Sequence, residues 1–261
     1  MSLPQPAGWR VRPEHALAAI EWACKKLHYS IDRPNMNPRG LSESLDDKIM
    51  GDMATVAVVE YLRYELKLPA VAYDQVRNDN FQSPDPGWDV AIGPTAYVWA
   101  KNTDDPATPI GLVTASVRSS RLPRSDTLTK AVQTRDFKIF APSGSSIEDC
   151  ITADIEMQVY YDYHRTQLGQ RKILPTHVKQ CIQERPFCNQ IMQGLEIQER
   201  YGVCYLTAWN FKTAIVQHSR TLSEPCWASY GKRMWLAPLR LGRGMRELLT
   251  IPRLKKLEIG N

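Results

Sequence analysis

IGLVTASVRSS, residues 110–120, is rich in β-branched residues and reads as a β-strand. Residues two apart on a strand share a face, so Ser116 and Arg118 project together. Upstream, a loop rich in Asp, Asn and Pro leads into a strand over Trp88–Ile92 that carries Asp89. Residues 96–100 are expected to be its hairpin partner through Gly93-Pro94, and residues 70–76 a further strand. Residues 46–67 carry Ala54, Val58, Tyr61, Leu62 and Leu66 on one face, which predicts a helix. It is expected to end before Pro69. Residues 14–29 predict another helix.

Downstream, residues 136–140 read as a strand. In residues 146–168, Ile147, Ile151, Ile155 and Val159 recur every four residues, which predicts a helix. Residues 177–185 and 188–202 are expected to continue as helices. Residues 204–217 and 232–241 predict two strands. The order of elements indicates an α/β (α+β) protein, a mixed central sheet flanked by helices. The N-terminal helix and a broken linker occupy residues 1–45. A core over 46–261 follows, with a helical insertion at about 146–200, C-terminal strands and a basic tail.

The 261 residues suffice for a core without disulfides or metals. No apolar run approaches bilayer length, and no signal-like h-region opens the chain. A cytoplasmic protein without a membrane partner is expected. The six cysteines are scattered without a zinc-site spacing, which indicates reduced thiols and no zinc. The motifs of dinucleotide and P-loop sites are absent, so no nucleotide cofactor is expected. The net charge of +5 is concentrated in two stretches. One holds Arg118, Arg121, Arg124, Lys130, Arg135 and Lys138. The other holds Lys232, Arg233, Arg240, Arg243, Arg246, Arg253, Lys255 and Lys256. Clustered cations suit a polyphosphate partner. Glu60 shares a stripe with Val56, Arg63 and Lys67 and reads as a solvated charge.

The order helix with Gly51-Asp52-Met53-Ala54, short strand, Asp89 in a strand, then Ser116-Val117-Arg118 resembles the PD-(D/E)XK nuclease superfamily, which includes many type II restriction endonucleases. The resemblance spans about residues 46–140. It implies a restriction-endonuclease-like core and a Mg²⁺-dependent DNA endonuclease that hydrolyses phosphodiester bonds in duplex DNA. Asp89, Ser116 and Arg118 would then be the catalytic residues.

The chain departs from the family pattern at three places. Ser116 stands for the acid of the acid-x-Lys triplet, Arg118 for its lysine, and Thr55 for a first-helix glutamate. A subgroup with serine at the acid position takes its carboxylate from a nearby helix, for which Asp126, Asp136, Asp154 and Glu156 are candidates here. The metal ligands would come from Asp89, Asp52, Asp136 and Glu156. Arg118, Arg121, Arg124, Lys232, Arg233, Arg240 and Arg243 would bind nucleic acid. Arginine does not lose its proton in proteins, so Arg118 would stabilise a phosphate rather than act as a base. A catalytically inactive nucleic-acid-binding subunit of a defence, repair or transposition complex, working as a homo-oligomer or in a larger assembly, is the alternative. A non-enzymatic interaction protein is the second.

Overall fold

A computed structural model describes residues 3–29, 41–122, 126–142, 144–162, 185–220, 226–228 and 232–255. The chain opens with a short strand β1 (Ala7–Arg10) and helix α1 (Pro13–Tyr29). Helix α2 (Leu41–Glu60) follows and widens into a π-turn over Tyr61–Glu65. Next come β2 (Ala70–Ala72), the single-turn helix α3 (Tyr73–Val76), β3 (Val90–Ile92), α4 (Ala96–Asn102) and β4 (Val113–Arg121). Beyond these lie α5 (Leu128–Thr134), β5 (Asp136–Phe140), α6 (Ile147–Cys150) and β6 (Ile155–Tyr161). The chain closes with α7 (Arg185–Gly194), α8 (Ile197–Tyr201), β7 (Val203–Phe211), α9 (Lys212–Arg220), β8 (Cys226–Ala228), β9 (Lys232–Pro238) and α10 (Pro252–Lys255).

Six strands form one mixed sheet in the order β1-β7-β6-β4-β3-β2, and β5-β9-β8 form a smaller one. In the large sheet β2, β3 and β4 are an antiparallel meander, and β6 returns parallel to β4. The mixed sheet flanked by helices agrees with the expected α+β class. One face carries Ala115, Ile155, Met157 and Trp209 and packs against the apolar sides of α1, α2 and α7. Tyr160 and Ala208 on the opposite face pack against Phe137, Ile139 and Ala237 of the small sheet.

Several elements differ from expectation. Residues 155–161 are a strand, not helix, because a four-residue repeat is also an even number and so keeps Ile155 and Val159 on one face of a strand. All seven residues are buried, as suits a strand between two neighbours with both faces covered. Residues 96–100 form a helix. β3 instead pairs with β2 and β4, and Gly93 takes φ 153° and donates its N–H to Pro69, which turns the chain away. Strand β2 stops at Ala72, and Lys212 ends β7 by donating its N–H to the Asp154 carbonyl. β1 and α1 belong to the main body, since β1 pairs with β7 and α1 packs in the core under the sheet. The expected linker reaches to residue 45, but residues 41–45 already belong to α2; its residues 30–40, and the expected helix over 177–184, lie outside the described residues.

Candidate active site

The strand pairing places a polar row across one face of the large sheet. Ser116 pairs with Glu156, and Glu156 with Asn210. Directly paired residues share a face. The N–H of Asp89 donates to the Ala115 carbonyl, and its carboxylate accepts from the N–H of Val117 at 2.6 Å and the hydroxyl of Ser116 at 3.4 Å. Asp89 thus joins the same row at the end of β3. The Asn210 amide continues it by donating to the Leu241 carbonyl at 3.1 Å.

Local structure holds this row in register. The side chain of Asp154 accepts from both the N–H and the hydroxyl of Thr114, clamping the start of β6 to the start of β4. Trp88 packs edge-on to Tyr73 and bonds the Ala107 carbonyl, while the Tyr73 N–H holds the Asp89 carbonyl at 2.9 Å. Gly87 takes φ 89° and its carbonyl accepts from Thr152. A Cβ there would lie 1.8 Å from the Thr152 hydroxyl oxygen, so only glycine lets this loop close onto the chain entering β6.

Glu156 is fully buried, and its carboxylate takes the Arg118 Nε–H at 3.0 Å. Its other oxygen, Oε1, is buried without a hydrogen-bond partner. Burial pushes its pKa up, against the opposing pull of Arg118. Asp89 is pushed up to about 6 by burial, with the Val117 N–H and Arg118 working the other way. A carboxylate, Glu156, therefore stands on the strand next to Ser116, beside the Arg118 cation. It comes from a strand, not from the expected helix.

The remaining predicted residues separate. Asp52 is taken up in an ion pair with Lys26 at 2.6 Å. Asp136 lies on the small sheet, flanked by Lys138, Arg135 and Arg240. Asp126 is held by Arg135 and Lys130. Arg121, expected to bind nucleic acid, is tied instead to Asp46, Asp47 and Tyr201 inside the fold. Arg124 and the side chain of Lys232 lie outside the described residues; Arg233 is half-buried on β9. Arg240 and Arg243 are exposed, in the segment that the Asn210 bond anchors beside the polar row. Arg243 lies over Trp209 and Phe211. Nothing in the sequence singles out Asn210, because an Asn in an apolar strand has no motif and acquires meaning only from its partner Glu156.

Glu60 is not a solvated charge. It is 1% exposed and accepts from Trp9 Nε1, the Arg12 N–H and His15, which pins the N-terminal strand to α2. Among the described residues, Cys24, Cys188 and Cys204 are buried, as expected, and Cys150 is half-buried.

No group of three His, Cys, Asp or Glu side chains among the described residues forms a metal cage. Mg²⁺ keeps several waters and binds through one or two carboxylates, so the demand on the protein is smaller. Asp89 and the partnerless Oε1 of Glu156, on one face about Ser116, meet it. Compared with family models, curated proteins and solved structures, the chain matches none.

Proposed function

We propose that this chain is a Mg²⁺-dependent endonuclease of restriction-enzyme type that hydrolyses phosphodiester bonds in duplex DNA. The observation that carries the reading is the pairing of Ser116 with Glu156, which returns a carboxylate to the row between Asp89 and Arg118. The helix, the antiparallel meander and the parallel fourth strand are in keeping with the resemblance of residues 46–140 to the PD-(D/E)XK core. Asp89 and Glu156 would hold the ion, which supplies a polarised phosphoryl oxygen and a water of lowered pKa.

The protein's own groups do the rest. Arg118 remains charged at any working pH and offers donors to a phosphate oxygen, stabilising the charge that develops there. Its ion pair with Glu156 aims it along the row. Ser116 positions the Asp89 carboxylate through its hydroxyl. Exposed Arg240 and Arg243, from the segment that bonds Asn210, would neutralise backbone phosphates, Arg243 from the Trp209 side of the sheet, which fixes the register of a duplex without reading its sequence. No helix among the described residues is long and apolar enough to cross a membrane. A cytoplasmic location, with free thiols and a DNA partner, fits this reading.

A second reading is a binding subunit that does not cut. It is favoured by the ion pair that already occupies one oxygen of Glu156 and by the peptide N–H on Asp89. One assay separates the two. Plasmid DNA is incubated with Mg²⁺ and wild type, Asp89→Ala, Glu156→Gln or Arg118→Lys protein, and affinity is measured alongside. The nuclease reading expects cleavage by the wild type, at least a hundredfold loss in Asp89→Ala and Glu156→Gln with binding retained, and activity kept in Arg118→Lys. Equal cleavage by wild type and Asp89→Ala would place the chemistry elsewhere; tight binding without cleavage in every variant would leave the binding subunit.

A further inference from the structure

Lys26, in the last turn of α1, reaches between two carboxylates. Its Nζ lies 2.6 Å from Asp52 on α2 and 2.5 Å from Asp74 on α3. Both acids are nearly buried, with side chains 8% and 7% exposed. The second oxygen of Asp52 is buried with no hydrogen-bond partner. Arg77 approaches Asp74 from the other side at 3.2 Å and also pairs with Asp79 and Asp85 toward solvent.

This cluster adjoins the candidate site. Tyr73, next to Asp74, holds the Asp89 carbonyl through its N–H, and the charges of Lys26 and Asp85 both act on the Asp89 carboxylate. Two buried carboxylates converging from separate elements present the oxygens that a hard divalent cation takes. The position between them is filled by an ammonium group on a tether. Burial opposes the charge on Lys26, yet Asp52 and Asp74 outweigh it and hold its pKa above the ordinary lysine value, so it stays a cation throughout the neutral range.

We infer that Lys26 is a built-in cation that takes the place of a metal ion between Asp52 and Asp74. Divalent ions are thereby confined to Asp89 and Glu156, so this inference rests on the function proposed above for that second location. The physical reason is local charge. Four carboxyl groups, Asp52, Asp74, Asp79 and Asp85, face the two cations Lys26 and Arg77, and burial pushes Asp52 up to about 7. Without Lys26, Asp52 would lose its ion-pair partner and Asp74 would keep only Arg77. Such a pair must protonate or recruit a cation.

The test uses Mn²⁺, counted by electron paramagnetic resonance, with thermal melting in parallel and no cleavage assay. Lys26→Met keeps the apolar stem and removes the charge. The expected result is one additional Mn²⁺ per chain in Lys26→Met, a melting temperature that climbs with Mn²⁺ concentration, and loss of both in Lys26→Met/Asp52→Asn. In the wild type, Asp52→Asn should leave the Mn²⁺ count unchanged. A Lys26→Met protein that folds only with Mn²⁺ also supports the inference. It is overturned if Asp52→Asn removes a Mn²⁺ from the wild type, or if folded Lys26→Met gains none. A Lys26→Met chain that stays unfolded in millimolar Mn²⁺ overturns it as well, since the position would then require lysine rather than a cation. A wild type that takes up no Mn²⁺ would instead sink the proposed site at Asp89 and Glu156 while leaving the expected gain in Lys26→Met intact.

Discussion

Asp89 has two jobs that pull against each other. Just before β3 begins, its carboxylate accepts the Val117 N–H of β4, which a neutral amide oxygen could do equally well. Its charge is costly there, because burial raises its pKa to about 6 from an ordinary value of about 4. The native state therefore holds the Asp89 proton more tightly than the unfolded chain, and stability falls as pH rises through that interval. Asp89→Asn is predicted to be more stable than the wild type at pH 7.5 by about 1–2 kcal/mol, once solvent screening of the half-buried side chain is allowed for. The gain should vanish near pH 2.5, where both states carry a protonated Asp89. Denaturant melts at the two pH values check this; an equal difference at both would show that charge is not the cause. Retaining a destabilising charge at a polar row is what a functional role would require. Asp89 and Glu156 were both visible in the sequence as candidate carboxylates, whereas their burial, their partners and the place of Glu156 on a strand opposite Ser116 were not.

Among the elements, β4 and β6 matter most, because their parallel pairing sets Ser116 opposite Glu156. The loop before β3 must close on the entry to β6 to bring Asp89 alongside, and Gly87 allows it. Gly87→Ala is predicted to cost about 2–3 kcal/mol, from the unfavourable backbone and the clash with Thr152. Gly87→Ala/Thr152→Ala should recover only the clash. Thermal unfolding of the single and double variants measures both parts, and an unchanged melting temperature in Gly87→Ala would refute the argument. The sequence suggested a helix for 146–168 because its apolar residues recur at a spacing that both helix and strand satisfy. The strand prevails through the unmet hydrogen-bonding edges of β4 and β7, which lie far away in sequence. Residues 96–100 reversed the other way. Their apolar character suits a strand, but β2 had already taken the free edge of β3.

Across the whole molecule, charge is divided between internal ties and a surface. Asp46, 1% exposed, receives Arg121, Arg200 and the Tyr201 hydroxyl, linking α2, β4 and α8. Asp46→Ala leaves buried Arg200 without that carboxylate and is predicted to destabilise the fold by about 3–5 kcal/mol, read as a lowered denaturant midpoint. A shift below about 1 kcal/mol would mean that water reaches the cluster. Cations tied in this way are not available to a phosphate, so Arg121 drops out of the proposed DNA surface and exposed Arg240 and Arg243 remain. Duplex binding is predicted to weaken steeply with salt. Arg240→Ala/Arg243→Ala should lower the slope of log affinity against log salt by about 2, since each guanidinium removed leaves one phosphate with its counterions. Binding that ignores salt, or an unchanged slope in the double variant, would remove this surface from the proposal.

Local reading of the chain suffices for the α+β class, the helix of residues 46–60, the strands around Asp89 and Ser116, and the burial of Cys24, Cys188 and Cys204. These follow from side-chain periodicity and β-branching, which act within a few residues. Tertiary packing is what sets Glu156 opposite Ser116, bridges Asp52 and Asp74 with Lys26, makes Glu60 the anchor of the N-terminal strand and turns Arg121 into an internal tie. Each of these joins residues 26 or more positions apart. A charge has no local periodicity to reveal its partner; strand register and helix packing choose it, and the cost of burying an unpaired charge then enforces the choice.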